Sequence, residues 1–285
     1  VGKIPPVEKE RKPWWLYLNL LGLDAPLIAV MWLFLFARTW RVNYHPWEAY
    51  VALGLAVWTI RIAAKLLAGA MHSDVSSFAM IHRLSLRRLA ICTGVSALAL
   101  TVLKFPLSVY NYLLVGALLV LGYFALWLFS TQEEGEVPYA RHALGGAAFA
   151  FGTALAAHVY LPTLGIQQLI FSREFISFAV LCLLASSATD MWEHSEKADN
   201  DDMFSIDELV LSLPLTLLGA AALVFAVQND SMTVRPFFYA ILTGAALLQV
   251  LNRTRNRFRR STLKVLASLC LLAPGMIFQT YPMSN

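Results

Sequence analysis

Three ionisable residues stand inside otherwise apolar runs of this chain: Asp24, Arg61 and Lys65. A charge at the centre of a membrane span costs about 2.5–3.5 kcal/mol on insertion scales, so each of them calls for a partner. Arg61 and Lys65 are four residues apart and share one helical face. Counted along their apolar runs at the helical rise, Asp24 and Arg61 both fall about 15 Å from the same membrane face. An Asp24–Arg61 or Asp24–Lys65 ion pair locking two adjacent helices is the simpler reading. The sharper one is a cationic lining for an anionic ligand such as a lipid phosphate or a diphosphate.

Two further charge clusters carry possible chemistry. The segment ATDMWEHSEKADNDDMFSIDE holds eight acids within the nineteen residues from Asp190 to Glu208, among them Glu193 and Glu196. Acids spaced by three or four on a helix end can share a Mg²⁺, a hard cation that takes oxygen ligands and suits diphosphate chemistry. Asp190, Glu193 and Glu196 are the candidates for such a site. A solvated acidic loop, or a docking patch for a basic partner, explains the same run without a metal. The segment LNRTRNRFRRSTLK is its opposite, with Arg253, Arg255, Arg257, Arg259 and Arg260 inside eight residues. Anionic headgroups attract such a run by about 1 kcal/mol per basic residue, so contact with anionic lipid is expected there. A topology signal alone would also account for it.

Other familiar constellations are missing. His45, His72, His82, His142, His158 and His194 include no i, i+4 pair, which argues against haem or zinc ligation. Cys92, Cys182 and Cys270 lie far apart in apolar stretches and read as packing residues. No P-loop, GxGxxG or nucleophile elbow occurs, and no nucleic-acid partner is expected.

The elements that must position these residues are membrane helices. Of 285 residues, 58% are hydrophobic and 14% charged, with a mean hydropathy of +0.61. A soluble domain carries roughly 25% charged residues. Nine apolar stretches of spanning length run near 14–37, 47–71, 84–103, 109–130, 141–162, 172–192, 207–227, 234–251 and 262–280. The expectation is an all-α, polytopic transmembrane bundle of about nine helices, forming one domain over 1–285. Residues 1–13 would be a cytoplasmic N-terminal segment, 193–206 an acidic cytoplasmic loop and 252–261 a basic one. The opening VGKIPPVEKERKPWW is polar and basic and does not read as a cleavable signal peptide. With the N-terminus placed inside, fifteen Lys and Arg fall on inner segments and five on outer ones (Arg38, Arg41, Lys104, Arg173 and Arg235). The positive-inside rule then puts the N-terminus in the cytoplasm and the C-terminus outside. Gly145, Gly146 and Gly152 in the fifth stretch read as close helix packing. No internal repeat is visible.

Nine helices, with informative segments at the inner ends of the second and the sixth, resemble the UbiA superfamily of intramembrane prenyltransferases. EFISFAVLCLLASSATDMWE and TLKVLASLCLLAPGMIF look similar to divergent bacterial members. The resemblance implies a helical bundle in a bacterial inner membrane, with a central cavity open to the lipid. It also implies two Asp-rich motifs, at the inner ends of helices two and six, that hold Mg²⁺ and a prenyl diphosphate. The chain departs from the first motif, which is of the NDxxDxxxD type. Here it reads TIRIAAKLLAGAMHSD, with Arg61, Lys65, Ala63, Ala64 and Ala68, and Asp74 as the single acid. At the second, Asp190 and Glu193, with Glu196 beyond, keep acidic residue types. Half of the family's metal site is the most this allows. The expected function is a non-catalytic subunit or scaffold of a membrane complex that binds a lipid, isoprenoid, quinone or carotenoid. Arg61, Lys65, Asp190 and Glu193 are the candidate ligand-binding residues. A Mg²⁺-dependent prenyltransferase with a reorganised site is the alternative, and an unrelated carrier or assembly factor the third reading.

Overall fold

The first apolar run does not make one continuous helix. The computed structural model describes residues 18–42, 46–71, 82–129, 139–161, 165–197, 201–228 and 234–280. A helical turn at Leu18–Leu20 stops at Gly22, whose φ of 72° lies in the left-handed region. Gly22 N–H donates to Asn19 O (3.0 Å) and Leu23 N–H to Leu18 O (2.9 Å), the paired bonds of a Schellman terminus. The chain restarts as α1, Asp24–Thr39. Helix α1 has 16 residues and so is about 24 Å long, shorter than a bilayer core of about 30 Å. The expectation of a single span over 14–37 is corrected accordingly: a glycine that is free to take φ > 0 divides it.

Eight more long helices follow among the described residues: α2 Trp47–Met71, α3 Arg83–Lys104, α4 Val109–Phe129, α5 Tyr139–His158, α6 Arg173–Lys197, α7 Asp201–Gln228, α8 Arg235–Thr254 and α9 Arg260–Thr280. A short helix, Ile166–Ile170, precedes α6, and a 3₁₀ turn, Arg255–Arg257, joins α8 to α9. No strand occurs among the described residues. Among the described residues, five segments are long and apolar enough to cross a membrane: Trp47–Gly69, Arg83–Lys104, Val109–Phe129, Arg173–Trp192 and Leu209–Gln228. The protein is an all-α helical bundle integral to a membrane. Helices α1, α5, α8 and α9 fall short of that criterion, α1 and the apolar part of α9 (Ser261–Gly275) through length and α5 and α8 through small or polar residues.

The weaker helices are interior ones, and this explains their composition. Helix α1 packs on α2, α5 and α9, and α6 packs on α5, α7, α8 and α9. The apolar window of α6 is 61% buried, against 6% for α4, so α6 is central and α4 peripheral. Helices α3 and α4 turn Val95, Leu98, Val102, Leu114, Leu118 and Leu121 outward, as lipid-facing helices do. Enclosed helices can carry Gly, Ala and polar groups because neighbouring helices, not hydrocarbon, surround them.

An aromatic cluster holds the centre. Trp32 and Phe36 of α1, Phe178 of α6 and Phe237 of α8 are fully buried. Trp32 stacks on Phe178 at 4.4 Å between ring centroids, and Phe36 meets Phe237 at 4.9 Å. Pro274 interrupts the hydrogen-bond ladder of α9, and in that turn Trp32 Nε1 donates to Leu271 O at 2.9 Å. Helices α5 and α6 approach at backbone distance: a Cβ on Gly146 would stand 2.9 Å from Leu183 N. Gly145 faces the Tyr123 ring, while Gly152 has open space beside it, so the glycine run is a contact surface at two of its three positions.

Gly146→Ala is expected to destabilise the bundle by about 1–3 kcal/mol through overpacking against backbone that cannot yield. Gly152→Ala, where an added Cβ meets nothing within 4 Å, should leave stability close to wild type. Thermal unfolding of the two variants in detergent checks the pair.

Candidate polar centre of the bundle

The break at Gly22 leaves carbonyls of the preceding turn without the bonds a continuous helix would supply. Helix α2 supplies them. Lys65 Nζ donates to the carbonyls of Asn19 and of Leu20, the latter at 3.1 Å. Trp58 Nε1 donates to Leu21 O at 3.0 Å. The fit is close enough that a Cβ on Gly22 would lie 3.0 Å from Arg61 Cγ. Glycine at position 22 is therefore favoured by its backbone conformation, and an added Cβ would crowd the Arg61 side chain.

Asp24 opens α1 just beyond this break and is 8% exposed. One of its oxygens, Oδ2, receives Asn19 Nδ2 at 3.0 Å and Ser268 Oγ of α9 at 3.1 Å. Arg61 Nη2 approaches the same oxygen at 3.8 Å. Oδ1 is buried with no hydrogen-bond partner among the described residues. Arg61 is the geometric partner of Asp24, and Lys65 is drawn off to backbone carbonyls. The Arg61 contact is long for a charge-assisted hydrogen bond, which runs about 2.7–2.9 Å, and 44% of its side chain is exposed.

A second cluster lies on α4, α5 and α6. Asp190 Oδ2 stands 2.8 Å from His142 Nε2 and 3.3 Å from Arg141 Nη2. The Arg141 guanidinium lies 4.1 Å above the Trp127 ring, a cation–π contact that holds it toward the bundle. Lys264, in the first turns of α9, is within electrostatic reach of both Lys65 and Asp190. The two clusters therefore share one end of the bundle, with α9 between them. Arg61, Lys65, Arg141 and Lys264 come from three helices and gather around the carboxylates of Asp24 and Asp190. Inspection of the sequence singles out Asp24, Arg61, Lys65 and Asp190 but passes over Arg141, His142, Lys264, Ser268 and Asn19. The basic pair Arg141–His142, at the edge of an apolar stretch, is the one local signal of a site in that second group.

This donor set suits an anion and not a Mg²⁺. Asp190, the one acid of the expected metal trio with a described side chain, has its Oδ2 committed to an arginine and a histidine. The side chains of Glu193 and Glu196 lie outside the described residues, as do Asp74, His45, His72 and the segment 1–13. Among the described residues, no three His, Cys, Asp or Glu side chains gather as a metal site. A cation at Asp190 would meet the charges of Arg141 and Lys264, which repel it.

The arginine run divides. Arg253, Arg257 and Arg259 are exposed, as contact with anionic headgroups requires. Arg255 is 4% exposed, so its assignment to lipid contact is corrected: it sits inside the 3₁₀ turn between α8 and α9. The Arg260 side chain lies outside the described residues. Nearby, Asn252 is buried and ties three helices, accepting from Trp192 Nε1 at 2.9 Å and donating to Ser212 Oγ at 3.3 Å.

No protein family, no curated protein and no solved structure matches the chain.

Asp190→Leu should cost about 3–5 kcal/mol of stability, because it strands the largely buried Arg141 charge. The double substitution Arg141→Met/Asp190→Leu should recover most of that loss. Equal destabilisation in the single and double variants, measured by thermal unfolding, would show that the pair is not what the fold depends on here.

Proposed function

We propose that the protein is a non-catalytic, UbiA-like membrane scaffold or complex subunit. It holds a phosphate-headed isoprenoid or lipid at the polar end of its bundle. The single observation that carries this reading is Arg61. It lies inside a spanning helix with 44% of its side chain exposed, and its one ion-pair partner among the described residues is 3.8 Å away. Placing an arginine there costs about 2.5–3.5 kcal/mol on insertion scales. Hydrogen bonds to a charged partner return about 1.5–3 kcal/mol each. One bidentate phosphate contact therefore offsets the cost, and a guanidinium is shaped for it. Lys65, one turn along the same face, adds positive potential. Helices α3 and α4, apolar on their outer faces, suit the surrounding acyl chains.

On the positive-inside rule we read this end of the bundle as facing the cytoplasm, and the proposed setting is a bacterial inner membrane, where phosphorylated isoprenoids and anionic phospholipids are both within reach. The exposed arginines Arg253, Arg257 and Arg259 then face the anionic headgroups of that leaflet. The basic surroundings of Asp190 disfavour prenyl transfer that depends on Mg²⁺.

Purified protein should be stabilised by farnesyl diphosphate and by dioleoyl phosphatidate, and not by farnesol or dioleoylglycerol. A preference between the first two tells an isoprenoid from a phospholipid. Arg61→Gln should weaken the preferred ligand about tenfold or more, equivalent to about 1.4 kcal/mol. Equal binding of the neutral amphiphiles, or full binding by the Arg61 variant, would reject the proposal. Transfer of the farnesyl group to a lipophilic acceptor, abolished by Asp190→Asn, would show the protein to be an enzyme.

A further inference from the structure

We infer that Asp24 is a built-in competing anion: it occupies Arg61 when the polar centre is empty and yields it to an arriving phosphate. The inference rests on the anion-binding reading above and assigns to Asp24 a role in setting affinity and selectivity.

The geometry of the carboxylate carries it. Asp24 Oδ2 is served first by Asn19 at 3.0 Å and by Ser268 at 3.1 Å. Arg61, at 3.8 Å, is its third and loosest partner. Losing Arg61 would leave both neutral donors in place, so the carboxylate is not stranded when the guanidinium turns away. The two sides of the contact differ in freedom. Asp24 is 8% exposed and pinned between the Gly22 turn and α9. Arg61 is 44% exposed in its side chain and is held at its root, where Cγ packs against Gly22. Only the tip of the arginine is free to exchange partners.

Lys65 makes the exchange selective for Arg61. Its ammonium is committed to the carbonyls of Asn19 and Leu20. It can raise the local potential but cannot leave without stripping the Leu20 carbonyl inside the membrane. The Ser268 hydroxyl sets how tightly the contact is held. It lies 3.1 Å from Asp24 Oδ2 and 3.1 Å from Lys264 O, and its single proton can serve one of them at a time. When it serves Asp24, it draws charge away from Arg61. A neutral or weakly polar head group cannot displace a carboxylate from a guanidinium. A phosphate, with more charge and a matching fork of oxygens, can. An apparent affinity lowered by a self-contact is the ordinary cost of a binding-competent state that is only partly populated.

A double-mutant cycle on the full chain, with farnesyl diphosphate as the probe, tests this. Asp24→Asn should bind the probe about tenfold tighter than wild type. The gain should vanish in an Arg61→Gln background. Ser268→Ala, which leaves the net charge unchanged, should bind severalfold more weakly, because the carboxylate then closes further on Arg61. An equal gain from Asp24→Asn with and without Arg61 would overturn the inference, since it would report only the loss of a nearby negative charge. Weaker binding by Asp24→Asn would overturn it too. If Asp24→Asn fails to fold, Ser268→Ala decides alone, and unchanged or tighter binding counts against the inference. Unaltered binding by Arg61→Gln by itself would instead remove the anion-site reading on which this one stands.

Discussion

Backbone carbonyls inside a bilayer must be satisfied by the protein itself, because hydrocarbon offers no donor. The break at Gly22 opens the carbonyls of Leu20 and Leu21 and leaves that of Asn19 to the Gly22 N–H and Lys65, and the arrangement of this end of the bundle follows from closing them. Lys65 and Trp58 turn toward the break, which fixes the rotation of α2 against the start of α1. That rotation brings Arg61, one turn before Lys65, over Gly22 and within 3.8 Å of Asp24. Asp24 in turn accepts from Ser268 and so ties α9 to α1. A single residue able to adopt a φ of 72° thus sets the position of an aspartate, an arginine and a serine on three helices.

The bundle can hold these charges because its helices divide the work. Helices α3 and α4 are apolar on their outer faces and pack on few neighbours. Helices α1, α5, α6 and α9 are enclosed and, with α2, bear the polar groups. The aromatic cluster of Trp32, Phe36, Phe178 and Phe237 locks α1, α6 and α8 together.

Asp24, Arg61 and Lys65 are visible in the sequence because an ionisable residue inside an apolar run is conspicuous against its neighbours. Their apportionment is not visible: which cation meets Asp24 depends on a turn that unwinds the first run, and Gly22 carries that signal only once the need for carbonyl donors is known. Arg141 and Lys264 are hidden for another reason. Basic residues at the ends of apolar stretches are ordinary topology signals, and only the adjacent His142 sets Arg141 apart locally. Their convergence follows from α9 packing between α1 and α6, a tertiary fact with no periodic trace in the chain. The same holds for Arg255, which belongs to a basic run on paper and to the interior in the fold.

The central claim is that an anionic head group belongs beside Arg61 at the polar end of the bundle. The most direct measurement is an electron cryo-microscopy map of the protein in nanodiscs of its native lipids. The account predicts non-protein density of phosphate size within hydrogen-bond distance of the Arg61 guanidinium, continuing into a chain along the apolar surface. A guanidinium closed fully onto Asp24, with no non-protein density at its open side, would contradict it.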